Sequence, residues 1–135
     1  MYNFSSDSLA QLKTCHPDLQ TLFNEVIKYR DCLVIQGFRN EEDQNKAFQE
    51  GKTKLQWPNG KHNSVPSHAI DVTPYPIDWN YLPAFYNFSG FVLGISEYLF
   101  KEGQIAHRIR WGGDWNMNQD LKNNKFNDLV HFEIL

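Results

Sequence analysis

KHNSVPSHAIDVTP, residues 61–74, begins as a loop and ends as a strand. Ser64, Pro66 and Ser67 punctuate its first half, as turn-forming residues do. HAIDVTP (68–74) is a β-rich run, and successive strand side chains point to opposite faces. Ile70 and Val72 therefore belong to a core, and Asp71 looks the other way, toward a polar face or a cleft. In a regular strand His68 shares the face of Ile70, so it is a poor co-ligand for Asp71. His62 sits in the loop and is free to fold back toward Asp71.

LVHFEIL (129–135) reads in the same way. Val130, Phe132 and Ile134 alternate with His131 and Glu133. If this strand pairs with 68–74, one polar face presents Asp71, His131 and Glu133. Asp128 stands just before the strand, where a bend brings it beside His131. Two histidines and an aspartate make three zinc ligands with a fourth position left open, as catalytic zinc sites have. A carboxylate outside that shell can accept a proton from water and pass it to a leaving amine. Spacing alone leaves two readings open, an ordinary polar cluster and a metal site, and no HExxH is present.

Outward from these strands the chain reads as short helices and strands that do not alternate as βαβ units. Residues 6–14 form a helix with a Ser or Asp cap. Pro17 fits the first turn of a second helix, whose apolar face is Leu19, Leu22, Phe23, Val26 and Ile27. CLVIQG (32–37) is a strand. Asn40 caps a helix that ends near Gly51, with Glu41, Glu42 and Asp43 in its first turn, where the helix dipole favours anions. The loop 52–67 is long for a compact domain, and such loops are usually functional or disordered. Residues 80–101 form a long helix with Pro83 in its first turn, RIRW (108–111) is a strand, and GGDWNMNQD (112–120) is a turn-rich loop. This order predicts an α+β fold, a small and mostly antiparallel sheet with packed helices.

The chain has 135 residues, which predicts one domain, 1–135, large enough to bury a core without staples. Net charge is −3, and no basic stripe marks a nucleic-acid partner. No run is long and apolar enough for membrane insertion, and the N-terminus lacks the pattern of a signal peptide. Cys15 and Cys32 read as free thiols.

Four segments in order then carry a resemblance: VIQGFR (34–39), KHNSVPSHAIDVTPYPIDW (61–79), RIRWGGDW (108–115) and NDLVHFE (127–133). The chain resembles the zinc peptidases of the D-alanyl-D-alanine carboxypeptidase and L-alanyl-D-glutamate peptidase family. That is a hedgehog/D-Ala-D-Ala-peptidase-like fold group well represented among phage endolysins. The resemblance implies Zn²⁺ held by His62, Asp71 and His131, with Asp128 as base. Arg39 would hold substrate or stabilise an oxyanion, a role that suits a permanently charged fork of donors.

Peptidoglycan stem peptides are the implied partner, and the L-alanyl-D-glutamate bond the implied target. The implied setting is a monomer made in the cytoplasm of an infected bacterium and released to the cell wall through a separate pore. D-Ala-D-Ala hydrolysis and a non-catalytic, zinc-stabilised wall-binding module are the alternatives. Two departures stand out. Eight residues separate His62 from Asp71, more than the family's usual spacing, and Gly60 stands where a serine is common. Glu133 is expected beside the metal shell rather than in it. Asp114 is expected either to hold a loop or to orient a ligand histidine. Trp111 and Trp115 are core or cleft wall, and His16, His68 and His107 are structural or exposed.

Overall fold

The computed structural model describes residues 1–122 and 127–135. It is a small α+β fold. Among the described residues it has four α-helices, α1 (Ser6–Leu12), α2 (Pro17–Val26), α3 (Glu41–Gln49) and α4 (Leu82–Lys101). Four strands, β1 (Cys32–Gln36), β2 (Ala69–Pro74), β3 (Ile109–Gly112) and β4 (Asp128–Ile134), form one antiparallel sheet in the order β1-β2-β4-β3.

Helix starts follow local chemistry. Ser5 Oγ accepts from the Ser8 amide at 3.2 Å, and Asn40 Oδ1 from the Asp43 amide at 2.8 Å. His16 Nδ1 does the same for the Asp18 amide at 3.0 Å, and Pro17 fills the first helical position, where a missing N–H costs nothing. Gly51 ends α3 at φ 75°, a conformation open to glycine. Gly90 and Gly94 do not interrupt α4, which starts two residues later than the sequence suggests.

All five apolar positions of the second helix are buried, four of them within α2, and the Phe23 ring meets Phe132 of β4 edge-on at 5.5 Å. That contact fixes the helical face of the sheet. Cys15 and Cys32 are free and buried, and burial pushes both thiols up to about 12, which keeps them inert.

Near the site the strands differ from the sequence reading. His68 lies outside β2, which starts at Ala69. Asp128 lies inside β4, as its first residue, rather than before it. Val130 is only half-buried, whereas His131 and Glu133 on the opposite face are buried. The polar face of the sheet is therefore roofed by the segments that follow β1 and precede β2.

Gly112 pairs with Asp128 across an irregularity in the β3–β4 register. A Cβ on Gly112 would collide with the Asp128 carbonyl and crowd its side chain. Gly112→Ala is expected to shift Asp128 and to cost about 1–3 kcal/mol, as overpacking does. Urea unfolding of the variant checks the cost, and wild-type stability would mean the strand end yields freely.

Candidate metal centre

β2 and β4 pair so that Asp71 lies directly opposite His131. Opposed residues on one face of an antiparallel pair bring their side chains together. His62 reaches the same point from a single 3₁₀ turn, Lys61–Asn63. Its Nε2 lies 3.1 Å from Asp71 Oδ1, and His131 Nδ1 lies 3.3 Å from that same oxygen. The three residues are buried and their ligand atoms converge, so they can hold one metal ion.

Between His62 and Asp71 the chain first turns outward. Val65 is 81% exposed, while Ser67 returns to the body of the fold. There its amide donates to the Thr14 carbonyl at 2.9 Å, and its carbonyl accepts from the His16 amide at 2.9 Å. His62 is held from behind. Its Nδ1 donates to the Gly37 carbonyl at 2.8 Å. A carbonyl only accepts, so Nδ1 carries a proton there, and Nε2 is the ring nitrogen turned toward Asp71.

Electrostatics at the site are strongly coupled. Burial raises the Asp71 pKa, but the charge of His62 and hydrogen bonds from His131 and His62 outweigh it and hold the carboxyl far below its usual range. Burial also opposes charging of His131, yet its hydrogen bonds to Asp71 and Glu133 raise it to about 9. Asp128 Oδ2 stands 4.0 Å from His131 Nδ1. Burial, then the Asp71 charge, push the Asp128 pKa upward against the pull of His131, His62 and Arg39. A carboxylate shifted this way is better matched to exchanging protons near neutral pH.

Arg39 follows β1 and enters the site beside Asp71, with Nη2 3.6 Å from Asp71 Oδ2. Its backbone amide donates to the His62 carbonyl at 2.8 Å. Gln44 and Asn63, which the sequence reading passed over, hold this corner. Gln44 Oε1 accepts from Arg39 Nη1 and Asn63 Nδ2, both at 3.1 Å, and its own amide donates to the Leu55 carbonyl at 2.6 Å. Gln44 is the buried residue of a mostly polar helix, and its position after three acidic residues disguised it as surface.

Among the described residues, His62, Asp71, Asp128, His131, Arg39 and Trp115 all line one cleft of about 720 Å³. It runs from the centre out past Lys46, Lys52 and Leu55, a size that suits an extended peptide segment. Trp115 is cleft wall, its ring 5.4 Å from that of His131. Trp111 is core, and its Nε1 donates to the Leu129 carbonyl at 2.9 Å. Asp114 holds its loop: its carboxylate accepts from the Asn118 and Gln119 amides at 3.3 and 2.9 Å.

A second cluster, His16, Asp18 and His107, also brings possible ligand atoms together. Its chemistry differs. Asp18 Oδ2 lies 2.7 Å from His107 Nδ1 and accepts from the Ala106 and His107 amides at 2.9 and 3.1 Å. Those are hydrogen-bond lengths that tie the loop before β3 to α2. Ligands about 2.0–2.1 Å from a tetrahedral zinc stand about 3.3 Å apart, which the separations at Asp71 match and the 2.7 Å contact does not.

The chain matches the family model described as phage L-alanyl-D-glutamate peptidase across residues 1–135. No curated protein matches it. Its fold is similar to that of a Serratia marcescens L-Ala D-Glu endopeptidase, with a TM-score of 0.73 and 19% identity, covering 98% of this chain and 90% of that chain. At that identity the likeness is one of fold.

Proposed function

This chain belongs to the phage L-alanyl-D-glutamate peptidase family, and we propose that it cleaves the L-alanyl-D-glutamate bond of peptidoglycan stem peptides with a zinc ion held by His62, Asp71 and His131. The observation that carries the zinc assignment is the convergence of two imidazole nitrogens on Asp71 Oδ1 at 3.1 and 3.3 Å, inside a peptide-sized cleft. Nitrogen and carboxylate donors in this number suit zinc, with one position left open. A zinc ion bound there supplies Lewis-acid polarisation and makes water nucleophilic at neutral pH.

The remaining chemistry belongs to the chain's own residues. Asp128 accepts the proton of the attacking water and returns it to the leaving amine. Its position beside His131 rather than against Asp71 keeps it outside the ligand set. Arg39 aims a guanidinium into the same space and stabilises negative charge developing on the scissile carbonyl oxygen. Trp115 and the segment around Leu55 wall the cleft and position the peptide.

The test is digestion of purified muropeptides by the zinc-loaded protein, with products read by mass spectrometry. New L-alanine C-termini and peptides beginning with D-glutamate are expected. Loss of a terminal D-alanine alone would mean a carboxypeptidase. Intact muropeptides would mean a binding module.

A further inference from the structure

Glu133 lies two residues beyond His131, on the same face of β4 and buried with it. Its Oε1 stands 2.8 Å from His131 Nε2. An ionised carboxylate only accepts, so Nε2 must carry the proton of that hydrogen bond. The other ring nitrogen, Nδ1, faces Asp71 and Asp128, so it is the one placed to give up its proton and ligate a metal. The two histidines thus present opposite nitrogens inward, Nε2 from His62 and Nδ1 from His131.

Glu133 is itself clamped. Arg110 of β3 donates to Oε2 through Nη2 at 2.6 Å and Nε at 3.2 Å. Lys61 Nζ lies 3.5 Å from Oε2 and donates to the Ile134 carbonyl at 2.8 Å. Lys61 adjoins His62 in the chain, so one carboxylate joins the supports of both histidines. The Arg110 guanidinium also lies 5.7 Å from the centre of the Trp115 ring, and that ring stands 5.4 Å from the His131 ring at a tilt of 45°. His131 is therefore held by Glu133 at one nitrogen, with the Trp115 ring packed beside it.

We infer that Glu133 is a positioning residue for the metal: it selects the His131 tautomer that ligates through Nδ1, and Arg110 and Lys61 hold it in place to do so. The inference rests on the reading of His131 as a ligand. Neighbours that orient a ligand histidine are worth about 10–100-fold in metal affinity. Hydrogen bonds to a charged acceptor are roughly twice as strong as neutral ones, so a glutamine in this place supports the ring less well.

The experiment measures zinc affinity by chelator competition for wild type, Glu133→Gln and Glu133→Ala. It also records imidazole ¹⁵N and ¹H resonances of His131 in the zinc-loaded proteins. Wild type is expected to show zinc on Nδ1 with a protected Nε2 proton. Glu133→Ala is expected to bind zinc about 10–100-fold more weakly and to lose that protection. Glu133→Gln is expected to fall between them, and it carries the test alone if the alanine variant does not fold. Zinc on Nε2 of His131 in wild type, or unchanged affinity in the folded variants, would overturn the inference. A wild-type protein that binds no zinc would instead overturn the reading of the site.

Discussion

Asp128→Ala is expected to lower muropeptide turnover about 100- to 10,000-fold, the range over which a positioned proton carrier acts. Metal content and thermal unfolding are expected to stay near wild type. The separation follows from where Asp128 sits. It is 4.0 Å from His131 and outside the cluster that Asp71 gathers. It is also the least buried of the site carboxylates, and its pKa is raised by burial and by the Asp71 charge, so the folded site disfavours its ionised form. Removing it takes away a proton carrier without opening the core. Zinc stoichiometry by mass spectrometry and turnover by product chromatography, on the same preparation, test this. A variant retaining a tenth or more of wild-type turnover would remove Asp128 from the chemistry. A protein whose only role is wall binding would bind as before.

Asp71→Asn is expected to act on the metal itself. The substitution keeps shape and removes the charge on which His62, His131 and Arg39 converge. Zinc affinity is expected to fall by more than the about 100-fold seen when a supporting neighbour is lost, and turnover to vanish with it. The metal-free fold is expected to weaken as well. Asp71 has a depressed pKa, so it stabilises the folded state above the usual carboxylate range, and that contribution is lost as pH falls below it. At neutral pH the asparagine variant therefore melts below wild type without zinc, and zinc raises its melting point less. Chelator competition and paired melts check both. Zinc affinity within tenfold of wild type would mean that the two histidines bind metal without Asp71.

The sequence by itself determined which side chains share a face. Alternation along 68–74 set Asp71 opposite Ile70 and Val72, alternation along 129–135 set His131 and Glu133 opposite Phe132 and Ile134, and the helical period along 17–27 chose the core face of α2. These are local consequences of backbone geometry, so they survive translation from sequence to fold. The α+β class followed from the order of the same elements. The resemblance marked His62, Asp71, Asp128, His131 and Arg39, and the fold gathers these five in one cleft.

Only the tertiary structure decided the register that sets Asp71 against His131 and the outward turn of the chain at Val65. It also decided the burial of Gln44 and Asn63 behind Arg39. The choice of Glu133 over Asp114 as the partner of His131 belongs here too. Each depends on distances between segments far apart in the chain. Hydrogen bonds and metal ligation act over about 2–3 Å, so a one-residue slip in pairing would undo them. Periodicity can say which way a side chain points, but the atom it meets is fixed only when the sheet closes.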